Sequence, residues 1–228
     1  MKQLITMVTV MITFHCSYGQ FESFERPDYD AIGQDIRKKN SGFYYQDLFD
    51  RYLRGDTMLN LEEKRHIYYG YSFQDKYSPY GLSLYSDSVR VYLQKDSLTD
   101  DDCREVIRLS GLLLEENPFV LRALNYLAYC YHRLNDPAHE SLYGSRIMFV
   151  FDAIMSSGDG LSEETAFYVI YVSHEYDLVS ALDFQFGGQQ MLTKQGYDYL
   201  SLEPNRFGID GFYFDVSRCL ASLDRIMK

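Results

Sequence analysis

Thr165-Ala166-Phe167-Tyr168-Val169-Ile170-Tyr171-Val172-Ser173 is the stretch on which the fold class turns. It carries no charge and is filled by aromatic and β-branched side chains, which suit a pleated, buried segment better than a helix face. Ser157-Gly158-Asp159-Gly160 separates it from everything upstream. Downstream, a short helix is expected from Tyr176 to Asp183, followed by three strand-like runs, Gln189–Thr193, Tyr197–Glu203 and Ile209–Val216. Lys194-Gln195-Gly196 and Pro204-Asn205-Arg206-Phe207-Gly208 supply the turns between them. Phe212, Phe214 and Val216 alternate with Tyr213 and Asp215, so the end of the chain reads as a small antiparallel meander.

Upstream of Ser157 the period changes from two to 3.6. Pro27-Asp28 opens a first helix with Tyr29, Ile32 and Ile36 on one face, and a second runs from about Phe43 to Arg54. Asn60-Leu61-Glu62-Glu63 has the spacing of a capping box and starts a third helix, to about Gln74. A fourth spans about Asp87 to Lys95, and Thr99 caps a fifth whose first turn holds Asp100, Asp101 and Asp102, favourable at the positive end of the helix dipole. Asn117-Pro118 and Asn135-Asp136-Pro137 punctuate two more helices, the last ending near Ser156. The expected fold class is therefore α+β: an irregular tetratricopeptide-like helical array followed by a small C-terminal antiparallel β-sheet. The array occupies residues 20–157 and the C-terminal α+β part residues 158–228.

Residues 1–19 read as a signal peptide. Met1-Lys2 is a minimal positive start, Leu4 to Phe14 is apolar, and Ser17 and Gly19 provide a small-x-small cleavage site. The apolar stretch is too short for a membrane-spanning helix, which needs about 20 residues. Export to the periplasm or the exterior is the expectation. The whole chain has 228 residues, 22 Lys and Arg against 33 Asp and Glu, and a formal net charge of −11. Cleavage removes Lys2 and no acid, so the mature chain is more negative still. Such a chain repels phosphate backbones, and nucleic acid is excluded as a partner. Export also makes the cysteines informative, since oxidising compartments permit disulfides. Cys103 and Cys130 fall on successive helices; a disulfide between them is one reading, worth about 3–4 kcal/mol in the chain-entropy model, and two buried free thiols are the other.

Pro118, Leu124, Leu127, Ala128 and Tyr131, followed by Asn135-Asp136, partly resemble the first helix of a tetratricopeptide repeat. Glu140 and Gly144 depart from the second helix of that pattern, and no second copy follows at its period. A broader resemblance runs through Pro27-Asp28-Tyr29, Phe43-Tyr44-Tyr45, Arg51-Tyr52-Leu53, Gly55-Asp56-Thr57 and Arg65-His66-Ile67-Tyr68-Tyr69-Gly70-Tyr71. It continues in Tyr77-Ser78-Pro79-Tyr80, Asn117-Pro118-Phe119, Arg122-Ala123-Leu124-Asn125-Tyr126-Leu127, His174-Glu175-Tyr176-Asp177 and Tyr213-Phe214-Asp215. By these motifs the chain resembles an uncharacterised family of exported proteins from Bacteroidetes-type bacteria, a domain of unknown function. The resemblance implies export and a bacterial envelope, and carries no activity, ligand or catalytic residue.

Two clusters are chemically notable. Arg65, His66, Tyr69 and Tyr80 lie in the densest polar–aromatic region, where tyrosine rings beside cations could stack on a sugar or hold a peptide; the plainer reading is that they fill a helix interface. His174, Glu175 and Asp177 follow the expected strand and could do general acid–base work; the plainer reading is a helix start with Ser173 as its cap. No cofactor and no metal site is expected: His132 and His139 lack zinc spacing, and Asp159-Gly160 lacks the alternating ligands of a calcium loop. The leading functional expectation is a non-enzymatic protein- or peptide-binding or scaffold module of the bacterial cell envelope. The alternative is an exported hydrolase or small-ligand-binding protein with its site near His174, Glu175 and Asp177.

Overall fold

The computed structural model describes residues 23–81 and 83–226, so the expected signal peptide lies outside the described residues. The elements, in chain order, are α1 (Tyr29–Asp35), α2 (Tyr45–Leu53), α3 (Leu61–Gly70), a 3-10 turn (Tyr71–Phe73), α4 (Leu84–Leu93), α5 (Asp100–Glu116), α6 (Leu121–Arg133) and α7 (Pro137–Met155). They are followed by β1 (Phe167–Tyr168), α8 (Ser173–Ala181), β2 (Phe186–Leu192), β3 (Tyr197–Leu202), β4 (Gly211–Asp215) and α9 (Ser217–Ile226). The fold is α+β, with most of its helices ahead of a four-stranded C-terminal sheet. No helix among the described residues is long and apolar enough to cross a membrane.

The helix starts follow from local chemistry. Asp28 caps α1 by accepting from the Ala31 N–H, the capping box expected at Asn60 forms with Glu63 at α3, and the Thr99 cap of α5 is itself a capping box with Asp102. Each satisfies backbone donors that the first helical turn leaves without partners. Asn135 takes up a left-handed conformation (φ 57°) between α6 and α7, a conformation that Asn tolerates better than most residues.

The described chain forms two compact units that interleave along the sequence, and so differ from a simple division near residue 157. One comprises Arg51–Thr57 and Gly81–Phe149; the other comprises residues 23–50, Met58–Tyr80 and 150–226. In the first, α4, α5 and α6 bury a cluster of Val89, Leu98, Cys103, Val106, Leu109, Leu113, Ala123 and Cys130. Also in that unit, the Tyr52 ring packs against Phe119 and Phe149 beneath the Arg146 guanidinium, and its hydroxyl donates to the Pro118 carbonyl at 2.9 Å.

The second unit holds the sheet, in the order β1-β4-β3-β2. β2, β3 and β4 form the expected antiparallel meander, but β1 joins β4 in parallel, making the sheet mixed. A parallel pair needs a crossover connection, and the chain between β1 and β4 contains α8 and the other two strands. β1 is also far shorter than Thr165–Ser173. The reason lies in where its backbone bonds go: the Ile170 N–H donates to the Tyr68 hydroxyl at 3.3 Å and the Ile170 carbonyl accepts from Tyr77 Oη at 2.7 Å. Side chains from α3 and the segment after it take over from a strand partner at that point. Upstream, the turn expected at Ser157–Gly160 is a close approach: a Cβ on Gly158 would lie 2.1 Å from the Thr165 carbonyl oxygen, and Gly160 needs φ 72°.

α3 is the central helix of this unit. Arg65 through Gly70 are all buried, as expected of a helix surrounded by protein on every side. α9 is a further element that the sequence expectations did not include.

Candidate functional site

β3 displays an alternating burial pattern in which Asp198, Leu200 and Leu202 share the inward face. Successive strand residues point to opposite faces, so Asp198 holds a position that its neighbours give to leucine. Across the antiparallel pair, Gln190 of β2 is in register with Leu200, and Leu192 with Asp198. The register shifts between Phe186 and Gln190, where Gly187 and Gly188 lie and where Gly188 has φ 88°. Phe186 meets Tyr176 of α8 edge to face at 5.2 Å.

α8 begins one residue earlier than a Ser173 cap requires. Val172 is the cap residue and provides no side-chain bond, while Ser173 is the first helical residue. Glu175 stays in the first turn, and Asp177 sits beyond it. The three acid–base candidates consequently separate. His174 is fully buried, its Nδ1 2.6 Å from the Tyr68 hydroxyl and its ring against Tyr171. Asp177 is half-buried. Glu175 is fully buried, and its carboxyl neighbour is Asp198.

One amide connects the pair. Gln190 Nε2 donates to Asp198 Oδ2 at 2.6 Å and to Glu175 Oε2 at 3.4 Å, while Gln190 Oε1 accepts from the Tyr176 hydroxyl. This arrangement uses both sides of the amide and fixes its orientation. Glu175 Oε1 is buried and bonds to nothing among the described residues. Burial, and then the charge of Asp198, push the Glu175 carboxyl up to about 9, so it is neutral at pH 7. Burial also raises Asp198, but less freely, because Gln190 and the Tyr199 backbone N–H both stabilise its charged form. The result is a protonated acid beside an ionisable one, with no Lys or Arg among the groups that set either carboxyl.

Two tyrosine hydroxyls lie within electrostatic reach of this pair. Tyr80 is 39% exposed, and its hydroxyl is raised by burial and by Cys219, Glu175 and Asp198. Tyr176 is half-buried and responds to the same two carboxyls. Cys219 of α9 is fully buried, with its thiol held up at about 12, which keeps it protonated and unreactive.

The other binding candidates are spread elsewhere. Arg65 is buried and donates to Ser156 Oγ at 2.8 Å. His66 stacks on Phe43 at 3.9 Å, with Nδ1 2.8 Å from the Glu62 carbonyl oxygen. Tyr69 is wholly buried and donates to the Ala153 carbonyl at 2.9 Å. These three build the interior, and Tyr80 alone of the four is exposed and feels the charge of the carboxyl pair. In the other unit, Cys103 and Cys130 are buried free thiols rather than a disulfide, and the Cys130 thiol is pushed up by burial and by its neighbour Cys103. His132 pairs with Glu140 and His139 with Asp136. Among the described residues no group of three or more His, Cys, Asp or Glu side chains is placed to hold a metal ion.

A family model described as a domain of unknown function (DUF4919) matches residues 30–225. The chain belongs to that family. No curated protein and no solved structure matches it. Membership therefore covers both units and the carboxyl pair without assigning either a role. Asp198 and Gln190 were missed at the sequence level, although a signal was present. In Tyr197-Asp198-Tyr199-Leu200-Ser201-Leu202 the acid is in phase with the two leucines, and an acid in the apolar phase of a strand is an anomaly that asks for a partner.

Proposed function

We propose that this chain is an exported, non-enzymatic binding protein of the bacterial cell envelope, and that its ligand is engaged at the Glu175–Asp198 pair. The observation that carries this reading is Glu175 Oε1. A buried carboxyl oxygen without a bond costs about 1–3 kcal/mol or more, and groups left so in a folded protein call for a ligand or a mechanism. Gln190, exposed on β2, lies over the pair and is held to Glu175 by the longer of its two bonds, at 3.4 Å. Tyr80 and Tyr176 give the site flat faces with polar tips, suited to a small molecule or to a side chain of a peptide or protein partner. The N-terminal sequence supports export.

A hydrolase reading rests on a different observation, a carboxyl held neutral beside one that ionises more readily, which is the division of labour of a general acid and its companion. Against it, His174 is engaged with Tyr68 in the interior. Thermal unfolding of the purified chain against oligosaccharides, peptides, amines and nucleotides tests both readings. A ligand at about 100 times its dissociation constant adds roughly 2.7 kcal/mol, a shift of several degrees. A shift that disappears in Asp198→Asn supports the binding reading, turnover of the same compound replaces it with the hydrolase, and no shift from any class removes both.

A further inference from the structure

The pair has an unusual charge balance. Two carboxyls share one amide nitrogen, Glu175 is fully buried and Asp198 nearly so. Among the described residues, the groups that interact electrostatically with Glu175 include Asp198 on β3, Tyr176 on α8, Cys219 on α9 and Tyr80 ahead of α4, all of them acids or neutral donors. No Lys or Arg is among the described groups that shift either carboxyl, and burial beside Asp198 keeps a proton on Glu175.

We infer that the group recognised at this site is a primary ammonium, which displaces the Glu175 proton and binds between Glu175 and Asp198 beside the rings of Tyr80 and Tyr176. The inference rests on the reading of the pair as a ligand site and names the chemistry of that ligand. An ammonium offers three N–H donors and no acceptor, which matches an orphan carboxylate oxygen and a neighbouring carboxylate. Calcium fits poorly, since it takes six to eight oxygen ligands and the site assembles no third acid. The chain's net charge of −11 raises the local concentration of any cation. The proton balance is explicit: the ammonium enters with its charge, the neutral Glu175 carboxyl becomes a carboxylate, and one proton passes to buffer.

That release sets the test. Calorimetric titration of the whole chain with n-butylamine hydrochloride, from pH 5 to pH 8, is expected to show affinity rising close to tenfold per pH unit. Repeating it in buffers of different ionisation enthalpy is expected to show about one proton released per site. In Glu175→Gln, affinity falls at least tenfold and the pH slope disappears; circular dichroism of that variant reports that it is folded. Asp198→Asn weakens binding while keeping the release. A lysine tripeptide with blocked ends distinguishes the source: tighter binding than n-butylamine assigns the ammonium to a peptide side chain, weaker binding to a free amine, and both support the inference. Binding of n-butylamine that is independent of pH, or that survives Glu175→Gln, overturns it. Binding of n-butanol or an oligosaccharide in place of the amine, lost in Glu175→Gln, overturns the ammonium while leaving the ligand site intact. Saturable calcium binding at the pair also overturns it, and no binding by any probe overturns the ligand site as well.

Discussion

The unit formed by Arg51–Thr57 and Gly81–Phe149 and the unit containing the sheet are stabilised in different ways. In the first, α4, α5 and α6 close over valines, leucines, an alanine and two buried thiols. In the second, the interior carries Arg65, His66, Ser156, Ser157, His174, Glu175 and Asp198 among its aromatic rings. Apolar burial contributes roughly 25 cal/mol per Å² without demanding a partner. Every buried polar group, by contrast, must find one, and a half-satisfied network is less stable than an apolar core. Several groups of the sheet unit find a partner: Arg65 through Ser156, His174 through Tyr68, Tyr168 N–H through Ser157. Tyr29 Oη and His66 Nε2 of this unit also lack a hydrogen-bond partner among the described residues, but Glu175 is the carboxyl among them and lies beside a second acid, which is why the site is sought there.

The contrast breaks first at the apolar cluster. Leu109→Ala in α5 is expected to destabilise the chain by about 2–5 kcal/mol, the range for a leucine removed from a packed interior. Denaturant unfolding should return the same loss at pH 5 and pH 7, because that cluster holds no carboxyl and no imidazole. A loss that varies with pH would mean that the two units do not differ as described.

Glu175→Gln sharpens the comparison from the other side. The folded carboxyl sits at about 9 against an ordinary value of 4.5. A carboxyl raised on folding contributes its full stability below pH 4.5 and loses it progressively as pH rises towards 9, because the unfolded chain ionises first. The slope is close to 1.4 kcal/mol per pH unit. Removing the ionisable group should thus stabilise the chain by about 3–4 kcal/mol at pH 7, with little change at pH 4.5 and a larger gain at pH 8.5. A destabilised variant, or one with the parent's pH profile, would show that Glu175 is charged and paired in the fold.

How much of this was legible in the sequence depends on whether a feature is local. The caps at Asp28, Asn60 and Thr99 were readable because a cap and its partner lie within three residues. β3 and β4 were readable because alternation and the turn residues between them are adjacent in the chain. β1 was overcalled because its termination depends on Tyr68 and Tyr77, about 100 residues away. Arg65, His66 and Tyr69 attracted attention as a polar–aromatic cluster, yet their chemistry is spent on Ser156, Glu62 and Ala153 inside the fold. Glu175 was identified with the wrong companions. Its true neighbour, Asp198, comes from a strand whose register no short-range pattern specifies.

Tyr68→Phe tests the non-local part directly. It removes the hydroxyl that accepts from the Ile170 N–H and meets His174 Nδ1, leaving buried polar groups without a partner. The expected loss is about 1–2 kcal/mol, with faster hydrogen exchange at the Ile170 amide. An unchanged amide would mean that β1 ends for some other reason, and the account of its truncation would fail.

The smallest effect is the control on the whole comparison. Each unit contains a capping box: Asn60 Oδ1 accepts from the Glu63 N–H at 2.9 Å in the sheet unit, and Thr99 Oγ1 accepts from the Asp102 N–H at 3.2 Å in the other. The physics of a cap is confined to one helical turn, so it should not register whether the surrounding core is polar or apolar. Asn60→Ala and Thr99→Ala are each expected to cost about 1 kcal/mol in denaturant unfolding. Equal losses would locate the difference between the units in their interiors, where Leu109 and Glu175 probe it. Thr99 also accompanies the Lys95–Asp102 ion pair, which is partly exposed and adds little. A loss at one cap several times that at the other would show that the units differ in how local structure couples to global unfolding, and every other substitution would then have to be read through that coupling.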